Sequence, residues 1–184
     1  MIHIFCKLFT IILFLHSPSD KSAIVEEIDS LKFMKADSLN CNAKLFWEIV
    51  SKGKQAIPYL IERLDDSTLT NQSFHCKDSK LTVGDICYFA IDNIIELPEF
   101  YVFHIQFDVI DGDCWPFYYY LFDNKSKTEI KKSVQKWYSR NKRKYKWEKF
   151  NLPPSYRSYP SHLLLWDCLE RYRVKGRYMY QSNH

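Results

Sequence analysis

The sequence predicts a mostly α-helical protein of one domain, and three observations carry that expectation. Apolar residues recur at helical spacing in several separate stretches of the chain. Thirty-one Phe, Tyr and Trp residues stand against only four Gly, which supplies rings for a sizeable core and too few glycines for a turn-rich β-sandwich. The length of 184 residues suits a single domain, and 46% hydrophobic with 26% charged residues excludes a disordered chain.

Ile24, Ile28, Leu31 and Met34 mark a first helix over 24–35, with Asp20 or Ser22 available as its cap. Leu45, Phe46, Ile49 and Val50 form a second stripe that ends at Gly53, where a left-handed C-terminal residue is natural. Ile57, Leu60, Ile61 and Leu64 follow the i, i+3, i+4, i+7 rule, and Pro58 is tolerated only in a first turn. That helix should run from near Gln55 to Asp65–Asp66. The polar stretch Ser67 to Lys80 reads as a loop. Val83, Ile86, Cys87, Ala90, Ile91, Ile94 and Ile95 then keep one helical face apolar, with Asp85, Asp92 and Asn93 expected on the solvent side and Pro98 as the stop.

From 100 to 109 the pattern changes. Tyr101, Phe103, Ile105, Phe107 and Val109 alternate with their neighbours, which predicts a strand or an extended segment continuing through Trp115 and Phe117–Tyr120. The fold class is therefore mostly α with an extended aromatic segment near 100–120. Residues 126–141 predict a helix with Ile130, Val134, Trp137 and Tyr138 on a narrow stripe. Pro153, Pro154 and Pro160 make 151–161 irregular, and a short last helix is expected over 161–171.

Gly53 to Asp66, with its A-ϕ-P-x-L-ϕ-x-x-L-x-D look, resembles the first helix of a HEAT repeat. Val83 to Ile94 would then be the second helix of the same pair. The resemblance covers about residues 53–95 and implies HEAT-like antiparallel helical packing, without a second copy of the repeat. The phrases Val102 to Asp108 and Val174–Lys175–Gly176–Arg177–Tyr178 resemble segments of small uncharacterised exported bacterial proteins, a likeness that implies no activity.

The run Leu8 to Leu15, after Lys7 and before Pro18, is too short for a membrane span and suits the apolar region of a signal peptide. The expectation is a signal peptide over 1–22, a single helical domain over 23–184, and a periplasmic or secreted location, with a cytoplasmic one as the alternative. Five cysteines follow: Cys41, Cys76, Cys87, Cys114 and Cys168. With no CxxC a structural zinc site is not expected, and an odd count leaves at least one thiol over. Cys87 sits on an apolar helical face as a small hydrophobe, and Cys76 with Cys114, both in turn-like contexts, make the better pair.

No catalytic motif emerges. Read as an EF-hand from Asp108, positions 3, 5 and 12 are Ile110, Gly112 and Tyr119, so Asp108, Asp111 and Asp113 make a turn instead. His75, His104 and His162 could serve as bases, yet no nucleophile elbow, zinc-protease or phosphate-loop pattern accompanies them. No catalytic residue, metal or cofactor is expected.

Charge is the strongest anomaly. Between Lys125 and Lys149 eleven basic residues meet two acids, so the segment carries +9 and the rest of the chain −5. Trp137, Tyr138, Tyr145 and Trp147 are interleaved with it. Lys132, Lys136, Arg140 and Arg143 fall three or four apart and are the expected partner-binding residues. The functional expectation is an exported, non-catalytic interaction protein, such as an envelope inhibitor or an immunity-type protein, whose partner is another, acidic protein. The alternatives are a nucleic-acid or anionic-lipid binder through 125–149, and a hydrolase in which a pocket joins His104 to Asp108 or Cys114.

Overall fold

The computed structural model describes residues 19–35, 39–105, 117–123, 126–149, 168–169 and 171–181. The described residues form seven α-helices and one two-stranded sheet. α1 is Ser19–Asp29, prolonged by a 3₁₀ turn, Ser30–Phe33, and α2 is Lys44–Ser51. Then come α3, Ile57–Glu62, and α4, Val83–Ile94. α5 is Glu99–Phe103, α6 is Phe117–Phe122 and α7 is Lys127–Asn141. The strands are β1, Tyr145–Lys149, and β2, Gly176–Tyr180, paired antiparallel with Tyr145 opposite Tyr180 and Lys149 opposite Gly176.

The helical periodicities of the first half hold. α2 ends as expected with Gly53 at φ +62, and Pro58 occupies the first turn of α3. Phe46, Ile49, Val50, Ile57, Leu60, Ile61, Ile86, Ile91 and Ile94 all enter one core, together with Trp47 and Tyr88. The polar loop 67–80 is largely exposed but anchored at Thr70 and Gln72: both are buried, and the Gln72 side-chain amide donates to the Met34 carbonyl at 3.4 Å. Phe74 leaves that loop to meet Phe89, Tyr118 and Phe122 at ring separations of 5.1, 5.0 and 5.7 Å.

Three expectations are overturned. Residues 99–103 are helical rather than extended, and 117–122 likewise, so the aromatic segment is two short helices at its described ends. Val102 and Phe103 are both buried, a neighbouring pair that a strand would send to opposite faces but a helical turn keeps together. Pro98 caps α5 as its N-terminal boundary, and left-handed His104, φ 56, ends it. Strand structure lies elsewhere, at 145–149, where Tyr145 and Trp147 alternate with Lys146 and Glu148 inside the basic segment. Finally, Asp85 is not on the solvent side of α4 but fully buried.

The sequence does not single out the disulfide that the described residues contain. Cys41 joins Cys168 across 127 residues, fastening the C-terminal segment beside α2, where Tyr172 stacks on Trp47 at 6.1 Å and donates its hydroxyl to the Cys41 carbonyl at 2.9 Å. Cys76 is disulfide-bonded, and Cys114, the partner expected for it, lies outside the described residues. Cys87 is free and buried, and burial pushes its thiol up. The expected signal region 1–18, the Asp111–Gly112–Asp113 turn and the 151–161 stretch also lie outside the described residues. Of the expected last helix, Cys168, Leu169 and Arg171 are helical.

Candidate functional site

The candidate site is the outer face of α7, and its placement begins with a buried ionic knot. Thr82 and Asp85 form a capping box at the start of α4, with the Thr82 N–H donating to Asp85 Oδ2 at 2.7 Å and the Asp85 N–H donating to Thr82 Oγ1 at 3.2 Å. Into this box reaches Lys127, the first residue of α7, donating to Asp85 Oδ1 at 2.5 Å and Thr82 Oγ1 at 2.9 Å. Lys77 from the polar loop donates to Asp85 Oδ2 at 2.7 Å. Burial pushes the Asp85 carboxyl upward, but Lys127, Lys77 and the Thr82 N–H outweigh it and hold the group below its ordinary value. One turn on, Lys131 donates to the Glu62 carbonyl at 2.7 Å and to Asp65 at 2.9 Å. Ile130 and Val134 are buried on the same side. α7 is therefore fixed in rotation by two lysines and two aliphatic residues.

That phase turns Lys132, Lys136 and Arg140 outward. They recur at i, i+4 and i+8, all three are exposed, and none makes an ion pair among the described residues. Glu129, the single acid of α7, stands near the start of the helix. Arg143 is exposed too, but it falls in the turn after α7 and does not extend the helical row.

Lys136 and Arg140 edge an open cleft of about 230 Å³ between α5 and α7. One wall is Tyr101, Val102 and His104; the other is Ser133, Trp137 and Asn141. Tyr101 lies nearly parallel to Trp137, centroids 6.4 Å apart with 23° between planes. Trp137 is held firmly: its Nε1 donates to the Tyr145 hydroxyl at 2.9 Å, its carbonyl accepts from Asn141 at 3.1 Å, and its ring meets Tyr180 at 5.0 Å. Burial pushes the Tyr145 phenol up to about 12, so it stays a neutral partner for that indole.

The structure thus brings Lys136 and Arg140 to one cleft, and Lys132 and Arg143 are not among its lining residues. Trp137 was legible as part of the anchoring stripe but not as a cleft wall, and Tyr101 and His104 were hidden by the strand reading of their segment. Their signal was Pro98–Glu99, a start for a short helix. His104 and Ser133 face the same cleft, yet no hydrogen bond joins them; Asp108 and Cys114, the other groups expected near His104, lie outside the described residues. His75 has lost its neighbouring nucleophile, since Cys76 is disulfide-bonded. Chemically the cleft offers two positive charges beside two rings, which suits carboxylates flanked by apolar groups. No family model, curated protein or solved structure matches the chain. No described helix is long and apolar enough to cross a membrane.

Proposed function

We propose that the protein is a non-catalytic binding protein of the exported space that takes an acidic segment of another protein on the face formed by α5 and α7. One observation carries this reading. α7 uses Lys127 and Lys131 for the fold, while Lys132, Lys136 and Arg140 answer no acid of this chain among the described residues, and Lys136 and Arg140 line a ring-walled cleft. Arg143 adds its charge from the following turn. The disulfide bonding of Cys41, Cys168 and Cys76 supports a periplasmic or secreted location, since such bonds persist in oxidising compartments. α3 and α4 serve in this reading as a single HEAT-like pair that supports α7. An envelope inhibitor or immunity-type protein fits the size and the binding face.

The test replaces Lys132, Lys136, Arg140 and Arg143 with Glu, which moves the formal charge from +4 to −4, two units at each of four positions. All four side chains are exposed, so the melting profile should match that of the parent protein. Capture of an acidic partner from an envelope extract should fail for the variant. For the parent it should fall steeply with salt, because exposed charges are screened over about 8 Å at physiological ionic strength. A competing oligonucleotide that displaces the partner would favour the nucleic-acid alternative. Unchanged capture by the four-site variant would return α7 to a plain solvated face.

A further inference from the structure

A second concavity, about 320 Å³ in volume, shares no residue with the α5–α7 cleft. It forms where the end of α2 with Gly53, the end of α4, Trp147 of β1 and the turn Arg173–Gly176 meet. Its size is that of a small-ligand pocket. The phrase Val174–Lys175–Gly176–Arg177–Tyr178 runs along its wall.

Four features of this basin point to a ligand. Lys52, Arg173 and Lys175 line it, and no acidic residue does among the described residues. Lys52 is held by Glu27 at 3.0 Å, whereas Arg173 and Lys175 are exposed and make no ion pair among the described residues. Arg173 has φ 57, at a helix end where the Val174 N–H returns to the Leu169 carbonyl at 2.8 Å. Glycine is the usual occupant of that position, so an arginine there is held against its backbone preference. Trp147 is half exposed, and its indole rests on Gly176: a Cβ at 176 would come within 2.8 Å of Trp147 Cζ2 and 2.1 Å of the Glu148 carbonyl oxygen. The glycine thus lets the indole approach the hairpin backbone more closely than a side chain at 176 would allow. Asn93 completes the wall; its Nδ2 donates to the Phe89 carbonyl at 2.8 Å, which leaves Oδ1 to accept from a hydroxyl.

We infer that the basin binds a pyranose carrying an anionic group, the sugar ring lying on Trp147, a hydroxyl donating to Asn93, and the phosphate or carboxylate meeting Arg173 and Lys175. An inorganic anion needs no indole, and a neutral sugar needs no pair of cations such as Arg173 and Lys175. The inference stands on residues separate from the acidic-segment face and does not depend on it.

Isothermal titration of the full chain with glucose phosphate, glucuronate, glucose and inorganic phosphate tests the idea. At least one of the two anionic sugars should bind at least about tenfold more tightly than both glucose and inorganic phosphate. Trp147→Ala should abolish that preference over inorganic phosphate. Arg173→Gly should weaken the anionic sugar by at least about tenfold while melting no lower than the parent, because glycine adopts the left-handed backbone freely. The result that would overturn the inference is inorganic phosphate or glucose binding as tightly as the better of the two anionic sugars, no saturable binding of any probe, or unchanged binding by Arg173→Gly.

Discussion

Lys127→Met separates the lysines that build this fold from those that decorate it. The Lys127 side chain is 5% exposed and the Asp85 side chain it serves is 0% exposed. Methionine keeps the stem and removes the ammonium, leaving Asp85 Oδ1 without its donor and Thr82 Oγ1 without the bond at 2.9 Å. Breaking a buried ion pair from one side costs about 3–5 kcal/mol. Lys77 still donates to Asp85 Oδ2 at 2.7 Å, so the charge keeps one partner and the lower figure applies. At about 2–4 °C per kcal/mol for a chain of this size, a loss of about 3 kcal/mol lowers the melting temperature by roughly 6–12 °C. Urea unfolding followed by circular dichroism gives the free energy directly. The pH dependence has a fixed sign. Asp85 is held below its ordinary value, so its stabilisation is complete above about pH 4 and fades as pH falls through the lower folded-state value. The gap between parent and variant should therefore narrow in acid. Lys132→Met, one turn along the same helix and exposed, should stay within about 0.5 kcal/mol. If the two variants unfolded together, the buried knot would not be what fixes α7.

Ile91→Asp should abolish folding, since it places an unpaired carboxylate at a fully buried site at a cost of several kcal/mol; Asp92→Ala, losing only a contact of 3.9 Å to Arg177, should shift the urea midpoint within the equivalent of about 0.5 kcal/mol. Replacing Cys41 and Cys168 together by Ala opens a link across 127 residues and should cost up to about 5 kcal/mol, an amount that reduction of the parent protein should exceed because it opens the Cys76 bond too. Burial lifts the Glu99 carboxyl to about 7, the bond from the Tyr88 hydroxyl offsetting it in part and Asp92 adding to it. Its folded-state value is raised, so its contribution is whole below the ordinary carboxylate value and is lost as pH climbs towards 7; Glu99→Gln should flatten that slope, and equal slopes in parent and variant would refute the assignment.

Most helices of the first half were legible because one chemical signal, apolar periodicity, decides them. Ile57, Leu60, Ile61 and Leu64 do not admit another reading once Pro58 must sit in a first turn. The segment from Tyr101 was misread because a five-residue helix shows barely more than one turn, too little for a period of 3.6 to beat a period of 2. The strands at 145–149 and 176–180 were missed for a different reason. Each is defined by its pairing with a partner some thirty residues away in sequence, and YKWEK reads locally as part of a charged run. The Cys41–Cys168 bond lay beyond sequence reading altogether, since connectivity depends on where the chain ends meet.

The charge run holds the more general lesson, because eleven cations of similar type do unlike work. Phase sorts those on α7: Lys127 and Lys131 lie three residues before Ile130 and Val134, on the side that the core claims, and both are bound there. Lys132, Lys136 and Arg140 take the opposite side and meet no acid among the described residues. Past the helix, Lys144 covers the Tyr180 ring at 5.7 Å and Lys146 lies next to Tyr145 on β1, where the Tyr145 carbonyl accepts from Lys54 at 2.8 Å. Burial first, and the Lys146 charge second, lower the affinity of Lys54 for its proton, so like charges crowd even where the fold brings them to a carbonyl and a ring. A fold that only needed these lysines for solubility could have scattered them. It instead ties its buried cations to Asp85, Asp65, carbonyls and rings, and leaves a row of unpaired ones beside the Tyr101–Trp137 cleft. It is that division of labour, rather than the net charge of +4, that makes the α7 face the place to look for a partner.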